Sequence, residues 1–150
     1  MVFLYYTKEE VKSQVLFQRI LLEKYGYSPS EIQKNGCGKP YLTGNPLFFN
    51  ATNTKGFSAL AVASSEIGLD AEPLARLQRD ALTAFVAKEA FVKRIGDSIF
   101  RRYKALSFCD GVIYEEGAAV DQPIFLEIDD FLVCVSCKDA QIQTINLDKE

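Results

Sequence analysis

Four charged residues in two short segments are the first candidates for chemistry in this sequence. Asp70 and Glu72 lie in the run IGLDAE, residues 67–72. On a β-strand their carboxylates would project from one face, with Ala71 on the other. Two adjacent carboxylates repel each other, and a divalent cation would remove that repulsion. Hard oxygen ligands of this kind suit magnesium; the alternative is a solvated strand end that carries two acidic residues.

Glu89 and Lys93 interrupt a run, residues 81–93, that is otherwise apolar nearly all round. Such a pattern predicts a buried helix. Buried charges are costly unless they are paired, bound to a metal, or open to a cleft. Because Glu89 and Lys93 are one helical turn apart, the alternative to a catalytic role is a salt bridge between them. Lys88 is a third charge on the same helix.

A third segment, residues 49–56, passes from a strand into a turn rich in hydroxyl and amide groups. It contains Thr52 and Asn53, and the turn is expected at residues 53–56. Exposed amides and hydroxyls in such a turn could hold phosphate. The alternative is a turn that only connects two strands.

A mixture of strands and helices must position these residues. A strand is predicted at residues 2–6, followed by a helix that begins at a capping box of Thr7 and Glu10 and continues to Gly26. A second helix is predicted from about Arg79 to Ile95, ending at Gly96. The other predicted strands are residues 47–50, 57–63, 66–71, 104–108, 112–114, 124–128, 131–136 and 142–147.

The two parts of the chain resemble each other weakly. The runs LAVAS, residues 60–64, and LVCVS, residues 132–136, each follow a turn and precede another strand. We therefore expect an α+β fold of two similar halves, approximately 1–72 and 73–150, packed as a pseudo-dimer with a ligand cleft between them. No linker separates the halves, so residues 1–150 are treated as a single unit.

Composition excludes several classes of function. The chain of 150 residues is 48% hydrophobic and 25% charged, as is typical of globular proteins. Its net charge of −3 argues against a nucleic-acid partner. The chain has no histidine, which excludes Ser-His-Asp and Cys-His catalysis and a histidine-ligated zinc.

Cysteines and the N-terminal residues indicate a cytoplasmic location. Residues 1–6 are apolar but lack a basic region before them, so neither a signal peptide nor a membrane span is expected. The four cysteines are expected to be reduced. Cys134 and Cys137 form a C-x-x-C, but on a strand they would point to opposite faces, and we interpret them as small buried residues.

Four segments, in this order, resemble the motifs of one enzyme family. They are GKP at 38–40, FNATNTKG at 49–56, GLDAE at 68–72 and KEAFVK at 88–93. The family is the surfactin-synthetase-type 4'-phosphopantetheinyl transferases, whose motifs read G-K-P, F-N-x-S-H-S, G-[VI]-D-x-E and W-x-x-K-E-[AS]-x-x-K-x-x-G. Gly96 matches the closing glycine. Asn53 stands where the family usually has histidine, Phe85 where it has tryptophan, and the segment 73–84 is shorter than in larger members.

This resemblance implies an activity: Mg²⁺-dependent transfer of 4'-phosphopantetheine from coenzyme A to a serine of an apo acyl or peptidyl carrier protein, with release of 3',5'-ADP. It implies that Asp70, Glu72 and Glu89 bind the metal, and that Glu89 and Lys93 are catalytic. Glu89 would deprotonate the serine, directly or through a metal-bound water, and Lys93 would neutralise charge on the pyrophosphate. The implied coenzyme A contacts are Arg19, Lys39, Pro40, Thr52, Asn53, Lys88 and Lys93.

Two other functions fit the same residues. One is a non-catalytic homologue that binds coenzyme A or a carrier protein without transferring anything. The other is a metal-binding or scaffold domain in which the carboxylates are surface charge. Intact Asp70, Glu72, Glu89 and Lys93 favour the enzyme.

Overall fold

The chain has an α+β fold, seen in a computed structural model that describes residues 1–98, 102–139 and 141–150. The helices are α1 (Ser13–Leu16), which continues as a π-helical segment (Phe17–Leu22), and α2 (Arg79–Ile95), with 3₁₀ turns at Pro29–Glu31, Tyr103–Ala105 and Leu147–Lys149. The strands are β1 (Val2–Thr7), β2 (Ile32–Lys34), β3 (Pro40–Leu42), β4 (Phe48–Thr54), β5 (Phe57–Ala63), β6 (Ile67–Pro73), β7 (Leu106–Cys109), β8 (Val112–Glu115), β9 (Ala118–Asp121), β10 (Ile124–Ile128), β11 (Phe131–Cys137) and β12 (Ile142–Asn146).

Two sheets form the centre of the fold, and their strands follow the same order. The first sheet is β12-β1-β5-β4 and the second is β10-β11-β6. In each, a leading strand (β1 or β6) precedes a helix, and a later hairpin (β4–β5 or β10–β11) returns its second strand antiparallel to the leading strand. The similar runs at 60–64 and 132–136 lie on the corresponding strands β5 and β11, except that Ser64 follows the end of β5. Sheet membership changes between Ala63 and Ile67, because β6 pairs with β11.

The beginning of the first helix was predicted wrongly. Thr7 is the last residue of β1, and its hydroxyl donates a hydrogen bond to Asp148 Oδ1 at 2.6 Å rather than capping a helix. Helix α1 begins at Ser13 and has no side-chain cap. A partner 141 residues away therefore outweighs the local capping signal of Thr7 and Glu10.

The turn predicted at residues 53–56 is also shorter than expected. Strand β4 continues through Asn53 and Thr54, which pair with Ser58 and Phe57 on β5. Only Lys55 and Gly56 form the turn, and Gly56 has a φ of 82°, a conformation that glycine adopts readily.

The other strands agree with the prediction apart from their ends and three additions. Strands β2, β3 and β9 were not predicted, and residues 104–105 belong to a 3₁₀ turn rather than to β7. Helix α2 has the predicted bounds, and the residue that follows it, Gly96, has a left-handed φ of 69°. Cys134 and Cys137 are buried in different hydrophobic clusters, as their spacing on a strand predicts. Within the described residues, no helix has the length and apolar character needed to cross a membrane.

Strand β6 and helix α2 lie in unusually close contact. A Cβ added to Gly68 would stand 1.8 Å from the carbonyl oxygen of Ala90 and 2.5 Å from the backbone nitrogen of Arg94. Ile67, Leu69 and Ala71 point away from the helix into a core shared with β5 and β11. The alternation of the strand therefore turns Asp70 and Glu72 toward α2.

Candidate acidic site and adjoining cleft

Strand β6 and helix α2 bring the three predicted metal ligands into one electrostatic cluster. Burial raises the pKa of Asp70 to about 8; the charge of Lys93 opposes this shift, and the charges of Glu89 and Glu72 add to it. Burial also raises the pKa of Glu89, against the charge of Lys93 and with that of Glu72. The sequence therefore predicted correctly that Asp70 and Glu72 share a face, and α2 places Glu89 opposite them.

Asp70 is the most constrained member of this acidic site. The residue is only 7% exposed, and within the described part of the chain its Oδ2 has no hydrogen-bond partner. A buried carboxylate oxygen without a partner is costly. Such an oxygen is typical of a carboxyl group that is protonated or that binds a water molecule or a cation.

Glu72 has a partner that the sequence did not indicate. Its Oε1 accepts a hydrogen bond from Arg76 Nη1 at 2.6 Å, and the Arg76 guanidinium lies 4.9 Å from the centre of the Phe85 ring. As arranged here, no three Asp, Glu, Cys or His side chains among the described residues are grouped to hold a metal ion. The donor set suits a hard divalent cation, but the positive charge of Arg76 beside Glu72 opposes its binding.

Lys93 is committed to backbone groups rather than to Glu89. Its Nζ donates to the carbonyl oxygens of Ala51 at 2.8 Å and Leu69 at 2.5 Å. The alternative of a salt bridge between Glu89 and Lys93 is therefore not what the structure contains. Burial lowers the pKa of Lys93, and the charges of Asp70 and Glu89 oppose that shift.

Hydrogen bonds made by Lys93 and Asn50 connect the two sheets. The amide of Leu69 on β6 donates to Asn50 Oδ1 on β4 at 2.9 Å, while its carbonyl accepts from Lys93. Both polar backbone groups of Leu69 thus bond to side chains instead of a neighbouring strand. Asn50 and Lys93 hold β4 beside β6, at the place where a ligand cleft was expected.

A cleft runs beside this junction. One cavity of about 230 Å³ and another of about 430 Å³ share walls formed by Ser13, Phe17, Gly38 and Pro40. Lys93 and Lys39 line the smaller cavity, and Asn53 lines the larger. Lys39 and Pro40 also line a third cavity of about 480 Å³. Lys93 is therefore the residue through which the cleft adjoins the acidic site.

Lys39 lies in the cleft wall as predicted, but its ammonium group is already bonded. It donates to the carbonyl oxygens of Arg94 at 2.6 Å and Ile67 at 3.2 Å, and it pairs with Glu66 at 3.0 Å. Burial lowers its pKa, and Glu66 opposes the shift. Lys39 thus ties the last turn of α2 to the start of β6.

Three other predicted contacts lie away from these cavity walls. Thr52 is buried on the face of β4 opposite to Asn53, so the two do not share a site. The Lys88 ammonium lies 4.8 Å from the centre of the Tyr103 ring. Arg19 donates to the carbonyl of Leu147 at 3.4 Å, near the C-terminus.

Sequence reasoning missed four residues at these sites. Lys12 and Lys34 line the 430 Å³ cavity, and neither forms an ion pair with another described residue. Tyr103 lies close enough to Glu89 for that charge to raise its pKa, although burial is the larger cause. Arg76 could have been found from its position four residues after Glu72, a spacing that would have suggested a pair only if the turn were helical.

No protein-family profile and no curated protein matches the chain. The resemblance of its motifs therefore remains the basis for any functional assignment.

Proposed function

We propose that the chain is a compact 4'-phosphopantetheinyl transferase, which moves the phosphopantetheine arm of coenzyme A to a serine of an apo acyl or peptidyl carrier protein. The observation that carries this proposal is the acidic site. Asp70 and Glu72 on β6 face Glu89 and Lys93 on α2, although the two motifs are far apart in sequence. Asp70 presents a buried oxygen without a partner to that site.

The repeated strand order supports the pseudo-dimeric fold of this family. The order β1-β5-β4 recurs as β6-β11-β10, and each leading strand precedes a helix. The cleft and the acidic site adjoin the boundary between the two sheets, where β4 meets β6. A ligand between two similar halves would bind at this boundary.

Asp70, Glu72 and Glu89 would hold the magnesium ion, which would neutralise charge on the coenzyme A pyrophosphate. Asp70 would supply its unpartnered oxygen. Lys93 lies in the wall between the acidic site and the cleft, where its charge would stabilise the departing 3',5'-ADP. Lys12 and Lys34 would add positive charge along the 430 Å³ cavity.

Glu89 is suited to act as the base. It is half-buried, it has no hydrogen-bond or ion-pair partner among the described residues, and burial raises its pKa. Glu89 would take the serine proton while the serine oxygen bonds to the phosphorus that carries pantetheine. The bond from that phosphorus to 3',5'-ADP would break, so charge and atoms balance.

A second candidate, the non-catalytic homologue, is favoured by one observation. Arg76 occupies Glu72, and the carboxylates are not grouped to hold a metal in this arrangement. Such a protein would bind coenzyme A or a carrier protein through the cleft and transfer nothing. The buried Asp70 argues against a scaffold whose carboxylates are merely surface charge.

One experiment separates these functions. The full chain is incubated with Mg²⁺, coenzyme A and a panel of apo-carrier proteins, and the mass of each carrier is measured. If the chain is the transferase, the carrier gains the mass of one phosphopantetheine group, and Glu89→Gln abolishes this gain. The control is Glu127→Gln, which removes the charge of an exposed carboxylate (51% accessible) and should leave the gain unchanged. Coenzyme A binding by calorimetry without any mass gain would favour the non-catalytic homologue. Neither binding nor transfer would refute both.

A further inference from the structure

Arg76 lies where it can control access to the acidic site. It belongs to the short connection between Pro73, the end of β6, and Arg79, the start of α2. Its guanidinium bonds to Glu72 at 2.6 Å and rests on Phe85, a residue of α2. The Glu72 side chain is 13% exposed, so this bond is shielded on the side of the carboxylate.

The charge of Arg76 acts on the whole acidic site. The hydrogen bond to Glu72 is the main reason that the pKa of Arg76 is raised, followed by the charge of Glu72; Asp70 and Glu89 contribute in the same direction. The positive charge of Arg76 thus offsets part of the repulsion among the three carboxylates, as a divalent cation would. Both would place positive charge beside the same carboxylate, so the bond from Arg76 to Glu72 Oε1 opposes the binding of a cation there.

We propose that Arg76 is a built-in competitor of the divalent cation: it holds Glu72 in a metal-free arrangement and must release Glu72 before the cation can bind. Asp70 keeps its unpartnered, buried oxygen in that arrangement, ready for the ion. Phe85 stabilises the closed position of Arg76 by a cation–π contact. The inference depends on the proposed function only for the identity of the cation as magnesium.

The test measures metal binding to the full chain in the absence of coenzyme A. Mg²⁺ binding is measured by calorimetric titration, and Mn²⁺ binding is measured by electron paramagnetic resonance. Arg76→Ala should bind either ion roughly tenfold more tightly, which corresponds to about 1.4 kcal/mol. Phe85→Leu, which keeps Arg76 but removes the ring, should tighten binding about two- to fivefold. Arg79→Ala is the matched control, because Arg79 forms a bond of the same length, 2.6 Å, with Glu127; it should change affinity less than about twofold.

Glu72→Gln separates competition from a general effect of charge. If Arg76 acts through Glu72, Arg76→Ala should give no gain when it is added to Glu72→Gln. An equal gain with and without Glu72 would overturn the proposal, as would unchanged affinity in Arg76→Ala. Failure of every variant to bind either ion would overturn it as well. Tighter metal binding without carrier modification would keep this inference and refute the transferase.

Discussion

Gly68→Ala tests the contact on which the acidic site depends. The new Cβ would meet the Ala90 carbonyl at 1.8 Å, the Arg94 nitrogen at 2.5 Å and the Arg94 Cα at 2.9 Å. All three are backbone atoms of α2, so no side chain can rotate away. Since ordinary contact begins near 3.4 Å, the helix must move from β6 by more than about 1 Å.

The cost of that movement can be estimated. Overpacking a well-packed core typically costs about 1–3 kcal/mol, and we expect the upper end, about 3 kcal/mol, because backbone must shift. For a chain of this length the melting temperature should fall by roughly 6–12 °C. The same shift separates Asp70 and Glu72 from Glu89, and misplacements of about 1 Å can reduce catalysis about 100-fold.

Urea denaturation and calorimetric Mg²⁺ titration measure both effects. Gly36→Ala is the matched control: a Cβ there meets nothing within 4 Å, and its φ is outside the left-handed region. It should leave stability and metal affinity unchanged. If Gly68→Ala were as stable as Gly36→Ala and bound Mg²⁺ equally well, the close packing of β6 on α2 would be refuted.

Two further predictions concern single charges. Lys93→Met leaves the carbonyls of Ala51 and Leu69 without their donor, so the free energy of unfolding in urea should fall by about 1–3 kcal/mol; unchanged stability would mean that Lys93 serves only ligand binding. For Asp70, the native pKa of about 8 exceeds the unfolded value of 3.8. Between these two pH values the native state binds one more proton than the unfolded state. The free energy of unfolding therefore falls as the pH rises, by at most about 1.4 kcal/mol per pH unit. Asp70→Asn should flatten this slope between about pH 5 and 7, and an equal slope in both proteins would contradict the buried, protonated Asp70.

Sequence patterns predicted the elements that are determined by residues close together in the chain. The apolar run with Gly96 after it gave both ends of α2, and strand alternation gave the shared face of Asp70 and Glu72. The first helix was misplaced because Thr7 bonds to Asp148, at the other end of the chain. No rule of spacing within one segment can detect such a partner.

The roles of the lysines could not be predicted for a similar reason. Residue type indicated that Lys39 and Lys93 could meet phosphate, but the fold places backbone carbonyls within reach of both ammonium groups. Lys12 and Lys34, which carried no motif, line the cleft without an ion-pair partner in the described part of the chain. Lys12 and Lys34 thus bring positive charge to the cleft through their positions in the fold, whereas the motif lysines Lys39 and Lys93 also hold the strands around it.

The charges of the acidic site explain how it can exist without a metal and still accept one. Three carboxylates face two cations, Lys93 and Arg76. With a pKa of about 8, Asp70 keeps a proton at neutral pH, and the remaining two negative charges are then balanced. A divalent cation brings two positive charges to a balanced site, so its binding is favoured only if positive charge leaves: the proton from Asp70, and Arg76 from Glu72. Arg76 is exposed at 48% of its side chain and can turn toward solvent, whereas Lys93 is fixed by two carbonyls and cannot. The mobile cation and the fixed one therefore have different parts in the same site: Lys93 holds the two sheets together, and Arg76 determines when the carboxylates are free.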